Sequence, residues 1–279
     1  MKIYPLFKEL YLDYETPISL FLKLTDNNTR KGFLLESKEK VETIGRYSFI
    51  GVFSNKVFSF NSDPFDKLKS ILCSVDFENK EMNIPFAGGL IGYFSYDTIR
   101  YIEKLELKNP DTIRIPESLF ILPEIYFVYD HFLNKSHLFT LVNTSGKDDD
   151  FSYSLETGRN ILKYYESKLN SVIQMKELRI TPSQEKISLT SNFSREDFTK
   201  AVEKAKEYIR NGDIFQTVLS QRLQHSTTNC GFNIYRNLRT INPSPYMYYF
   251  NLNDFEIIGA SPEILVKKSK DTAILKPIA

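Results

Sequence analysis

Glu124-Ile125-Tyr126-Phe127-Val128-Tyr129-Asp130-His131 and Ser136-His137-Leu138-Phe139-Thr140-Leu141-Val142-Asn143 are two apolar runs separated by the turn Leu133-Asn134-Lys135. Aromatic and β-branched side chains fill both runs. The gap is far too short for a crossover helix, so the pair reads as an antiparallel hairpin. Working outward, Phe33-Leu34-Leu35-Glu36-Ser37 and Arg46 to Phe53 also read as strands, and Gly88 to Tyr96 as a glycine-punctuated one followed by a helical turn at Asp97 to Glu103. Thr16-Pro17 and Asp63-Pro64 each place a capping side chain before a proline, the signal that opens a helix; the second helix runs through about Val75.

Beyond the hairpin, Ser145-Gly146-Lys147-Asp148-Asp149-Asp150 is a polar loop, and a charged helix follows from Tyr153 to Gln174. Residues 176–190 are polar, contain Pro182 and show no period, so the main boundary is expected there. Ser194 then caps a helix, with Asp197 three residues on, in a weak form of the capping box. Phe198, Val202, Ala205 and Ile209 share one helical face, and Gly212 closes the helix. Ile214 to Leu223 reads as a strand and Phe232 to Ile241 as a helix. Three strands end the chain: Tyr246 to Leu252, Phe255 to Ala260 after an Asn253-Asp254 turn, and Glu263 to Lys268 running toward Ala273 to Ile278. Strands that succeed one another through short turns, with helices interleaved without a strict rhythm, point to an α+β fold rather than a parallel doubly wound one. The last residues, Lys276-Pro277-Ile278-Ala279, leave a sheet edge unprotected, from which an incomplete chain is expected.

Composition narrows the function. Lys plus Arg number 36 against 35 Asp plus Glu, without the basic excess of a nucleic-acid binder. The two cysteines, Cys73 and Cys230, and the histidines His131, His137 and His225 match no metal-ligand spacing. The first residues lack an apolar signal core, and no run of about 20 apolar residues is present to span a membrane. A cytoplasmic protein is the default expectation. Gly88-Gly89-Leu90-Ile91-Gly92 lacks the lysine and the following helix of a phosphate loop and reads as close backbone packing. Ser261-Pro262-Glu263 puts a carboxylate just after a strand end; on residue type alone it is a surface glutamate.

Several segments, in order, resemble the large subunit (component I) of anthranilate synthase. They are Leu34-Leu35-Glu36-Ser37, Gly45-Arg46-Tyr47-Ser48-Phe49-Ile50-Gly51 and Gly88-Gly89-Leu90-Ile91-Gly92-Tyr93-Phe94, then Gly212-Asp213-Ile214-Phe215-Gln216-Thr217-Val218-Leu219-Ser220-Gln221-Arg222. Asn242-Pro243-Ser244-Pro245-Tyr246-Met247, Gly259-Ala260-Ser261-Pro262-Glu263 and Lys276-Pro277-Ile278-Ala279 complete the set. The resemblance implies the chorismate-utilising fold: two facing antiparallel sheets with outer helices, truncated at the C-terminus. Residues 1–150 resemble the family's N-terminal region, 151–190 form a helix and linker, and 191–279 resemble the incomplete beginning of its chorismate-binding region.

The same resemblance implies a lyase that converts chorismate and ammonia to anthranilate and pyruvate in tryptophan biosynthesis, with ammonia delivered from glutamine by an amidotransferase subunit (component II). Relatives that add water to chorismate carry a lysine where Gln216 stands; a glutamine amide cannot act as that base. Relatives that make aminodeoxychorismate carry a nucleophilic lysine where Ala279 stands. On the residues alone, the reading preferred at both positions is packing of a strand in the core. Glu263 matches a glutamate proposed to help the ring hydroxyl leave. The implied cofactor is Mg²⁺, its oxygen ligands expected beyond residue 279. Leu35, Glu36, Ser37, Asn242, Pro245, Tyr246 and Met247 match the family's feedback site for L-tryptophan. Two alternatives stand beside this reading: an aminodeoxychorismate synthase component, and a non-catalytic tryptophan-binding fragment.

Overall fold

The computed structural model describes residues 1–37, 45–77, 82, 84–106, 109–145, 148–173, 188–252, 254–269 and 271–276. Elements follow in chain order: β1 (Lys2–Tyr11), α1 (Pro17–Leu24), β2 (Gly32–Glu36), β3 (Tyr47–Phe60), α2 (Phe65–Cys73), β4 (Asp76–Phe77) and β5 (Ile91–Phe94). After a 3-10 turn at Tyr96–Tyr101 come β6 (Ser118–Asp130), β7 (Lys135–Asn143), α3 (Asp148–Leu169), β8 (Thr190–Ser191), α4 (Arg195–Asn211) and β9 (Leu223–Gln224). The chain ends with α5 (Gly231–Ile241), β10 (Tyr246–Asn251), β11 (Glu256–Ser261), β12 (Lys267–Ser269) and β13 (Thr272–Ile274).

Among the described residues the chain forms two compact units, Met1–Lys176 with Leu238–Pro262, and Glu177–Asn237 with Glu263–Ala279. The sequence placed its boundary in 176–190, most of which lies outside the described residues. It also assigned everything from 191 onward to one region. The structure returns β10 and β11 to the first unit, because β10 pairs with β2 from Met247 to Asn251. Backbone ladders, rather than order along the chain, decide membership.

The first unit is built on a nine-stranded sheet in the order β11-β10-β2-β3-β6-β7-β1-β4, with β5 also on β6. Its ladders are antiparallel except for the short β1–β4 pairing, which keeps the chain in the α+β class. The β6–β7 hairpin sits centrally, with Tyr126 opposite Phe139 and their rings stacked 4.9 Å apart. A bulge follows Val52 in β3, where Ser54 Oγ donates to Leu122 O at 2.6 Å. Past the bulge, β5 takes the edge of β6 at Ser118 to Ile121, while β7 holds it at Tyr126 to Asp130.

Helices cover the sheet. In α1, Thr16 Oγ1 accepts from Ser19 N at 3.1 Å and Ser19 Oγ accepts from Thr16 N at 2.8 Å, a reciprocal cap with Pro17 in the first turn. Leu20, Phe21 and Leu24 of this helix are fully buried. Each such side chain taken from water is worth about 1.5–3 kcal/mol. On α3, Leu162, Tyr165 and Leu169 form the buried stripe. Tyr165 Oη donates to Glu124 Oε2 at 2.9 Å, an oxygen that Arg30 Nη2 also reaches at 3.0 Å.

The sequence reading misses β1, whose Pro5 lacks an N–H and breaks the expected alternation. Pro5 is nevertheless buried in the ladder opposite Leu141. In the second unit, β8 pairs with β9, and β12 pairs with β13 as a short hairpin. The strand expected over 214–223 is not formed. Residues 214–222 are irregular, only Leu223 and Gln224 are paired, and Phe215 is fully exposed. Among the described residues no ladder receives this apolar run, so its backbone N–H and C=O groups gain no strand partner. Helix α4 has the expected caps: Ser194 Oγ accepts from Asp197 N at 3.0 Å, and Gly212 adopts φ 80°. On its apolar face Phe198, Val202 and Ala205 are half-buried and Ile209 is exposed, and none of its residues is fully buried.

Candidate functional site

β2 and β10 are antiparallel neighbours, with Glu36 opposite Met247, Leu35 opposite Tyr248 and Leu34 opposite Tyr249. This register brings together two sequence segments that lie far apart in the chain. Polar contacts fix it. Asn28, in the turn after α1, donates through Nδ2 to Tyr249 Oη at 2.8 Å, and Tyr249 Oη donates to Glu256 of β11. Asn251 Nδ2 donates to Asn28 O at 3.2 Å. The Phe21 ring meets Tyr249 edge-on at 5.5 Å.

Strand alternation sorts the candidate residues between two faces. Phe33, Leu35, Tyr248, Phe250 and Ile257 pack in one hydrophobic cluster on one face. Tyr246 has the same parity on β10, and Ser37 follows Leu35 in the same series; both are half-buried. Tyr93 from β5 closes this cluster, its phenol donating to Pro116 O at 2.7 Å. Burial pushes that phenol up to about 12, so it stays a hydrogen-bond donor at neutral pH. This face of the sheet is therefore aromatic and aliphatic, with a few hydroxyls.

Glu36 and Met247 belong to the opposite face, and both are buried. The Glu36 carboxylate is held by Arg239 in the last turn of α5: Nη2 donates to Oε1 at 2.8 Å, and Nε lies 2.8 Å from Oε2. The sequence reading does not single out Arg239. The available signal was a lone carboxylate in an otherwise apolar strand, which demands a cation once buried. Asn242 is exposed one residue beyond α5, its N–H donating to Leu238 O at 2.8 Å, and Pro245 is half-buried just before β10.

The two catalytic candidates lie in the second unit. Gln216 is exposed within the irregular 214–222 segment, and Glu263 is half-buried two residues past β11. Ala279 lies outside the described residues. Among the described residues no group of three or more His, Cys, Asp or Glu side chains is placed to hold a metal ion. No helix among the described residues is long and apolar enough to cross a membrane.

A family model described as chorismate binding enzyme matches residues 30–279. This chain belongs to that family. Anthranilate synthase component 1 of Acetivibrio thermocellus is 38% identical to it, over 99% of this chain and 59% of that protein. The Aquifex aeolicus protein of the same name is 35% identical over the same shares. The chain thus spans about 59% of the length of these curated relatives. Among solved structures, anthranilate synthase component I from Streptococcus pneumoniae superposes with a TM-score of 0.67 at 31% identity, covering 83% of this chain and 53% of that one. The menaquinone-specific isochorismate synthase from Escherichia coli matches at a TM-score of 0.54 and 14% identity, over 95% of this chain and 51% of that one, a likeness of fold alone. This chain shares the chorismate-utilising α+β fold with both.

Proposed function

We propose that this chorismate binding enzyme acts as an anthranilate synthase large subunit. Chorismate and ammonia give anthranilate, pyruvate and water, and L-tryptophan restrains the reaction. The identity to anthranilate synthase component 1 proteins across 99% of the chain carries the reading. Ammonia supplies its own lone pair, so the enzyme needs no base to make the nucleophile, and the amide of Gln216 suits that role. A carboxyl at Glu263 would assist departure of the ring hydroxyl as water. The name component 1 supports a component 2 partner, a glutamine amidotransferase that delivers ammonia.

The inhibitor site in this reading is the Leu35 face of β2 and β10. Leu35, Tyr246 and Tyr248 give apolar area to an indole. The Ser37 hydroxyl and the backbone around Pro245 give polar contacts to its amino and carboxylate groups. Product analysis on the complete gene product with chorismate, ammonium and Mg²⁺ tests the reaction. Anthranilate is the expected product; isochorismate or aminodeoxychorismate in its place overturns the reading.

A further inference from the structure

The Glu36–Arg239 pair does something that the sheet register alone does not. α5 ends at Ile241, residues 242–245 connect it to β10, and β10 lies in register on β2. Arg239 then reaches from the last turn of α5 to Glu36 at the end of β2. Helix end, connection and two strands are thereby closed into a ring by a guanidinium–carboxylate contact between side chains. Nη2 makes a charge-assisted hydrogen bond to one carboxylate oxygen, and Nε lies 2.8 Å from the other as an ion pair without hydrogen-bond geometry. The Glu36 side chain is 3% exposed and that of Arg239 22%, so the carboxylate is shielded from water while the guanidinium keeps partial access to it.

The connection inside this ring carries Asn242 and Pro245, and the next residue is Tyr246. We infer that Arg239 is a positioning residue: through Glu36 it holds the 242–245 connection and the start of β10 in the geometry that an aromatic amino acid would meet. It acts from the face of the sheet opposite Leu35 and touches no ligand there. The inference deepens the tryptophan reading and rests on it for the identity of the ligand, while the bracing itself is independent of any ligand.

Hydrogen–deuterium exchange on the 279-residue chain tests the bracing without ligand. Three variants serve: Arg239→Lys, Arg239→Gln, and the double variant Glu36→Gln with Arg239→Gln. The double variant removes both charges, so it escapes the penalty of a buried carboxylate left alone. The expected result is exchange at residues 238–247 faster by about tenfold or more in the Gln variants, with the β6–β7 hairpin unchanged, as for loss of local rather than global protection. Arg239→Lys, which keeps the charge and loses the planar guanidinium, falls between. Unchanged exchange at 238–247 in a folded double variant overturns the bracing.

Calorimetric titration with L-tryptophan completes the test. About tenfold weaker binding in the double variant, at a melting temperature close to that of the parent, supports positioning by preorganisation. Equal affinity in the two overturns the positioning role even if exchange has risen. If the parent chain binds no tryptophan while exchange rises as expected, the ligand assignment falls and the brace stands.

Discussion

At the scale of single residues, the most constrained contact on the candidate face is Tyr248 over Gly259. A Cβ at Gly259 would sit 2.1 Å from the ring carbon Cζ, so the aromatic ring rests directly on the opposing strand's backbone. Gly259→Ala has to displace the ring from the hydrophobic cluster and is expected to cost about 1–3 kcal/mol in urea denaturation; an unchanged midpoint would show that the ring yields freely. His137 sets a pH dependence. Burial holds its imidazole below the ordinary value, against the pull of Glu9 from β1, whose carboxylate lies 3.8 Å from Nδ1. Lys135 on the same strand opposes protonation, and Asp130 from β6 favours it. The folded state therefore binds a proton less readily than the unfolded chain. Stability is full above pH about 6.5 and is lost as pH falls through the window below it. The melting temperature is expected to drop from pH 7 to pH 5, and the drop to shrink in His137→Gln. Equal slopes in the two proteins would contradict this. The sequence exposes the chemistry of such residues but not their partners. Glu36 is visible as a carboxylate among leucines, whereas Arg239 is found only once the structure sets its guanidinium beside that carboxylate.

At the scale of elements, strong local signals translate directly. Ser194 and Thr16 cap the helices they precede, and the Tyr126 to Asn143 hairpin pairs as its apolar runs imply. Ser194→Ala is expected to cost α4 about 1 kcal/mol, read as faster amide exchange in its first turn; equal exchange would assign the cap no energetic role. Elements whose existence depends on distant partners are not legible in this way. β1 looks unlike a strand because of Pro5, yet β7 pairs with it from Ile3 to Tyr11. Residues 214–222 look like a strand through Ile214, Phe215, Val218 and Leu219, yet among the described residues no ladder receives them. Apolar content reports what a segment can bury. Whether a neighbouring backbone is available to pair with it is a property of the whole fold.

At the scale of the whole molecule, a sheet that recruits β10 and β11 from late in the chain joins the two segments of the candidate inhibitor site. The family resemblance names both segments from their residues, and the ladder supplies the register that sets them side by side. The division into two faces, with Leu35 and Tyr248 on one and Glu36 and Met247 on the other, emerges only from that register. Site chemistry and sheet topology meet in one observable. Anthranilate formation from chorismate and ammonia by the complete gene product, followed by its fluorescence while L-tryptophan is raised, tests the account most directly. The account expects anthranilate to form, tryptophan to suppress it, and Ser37→Phe to keep the activity while escaping suppression. Turnover of chorismate to another product, or anthranilate formation indifferent to tryptophan in the parent protein, would contradict it.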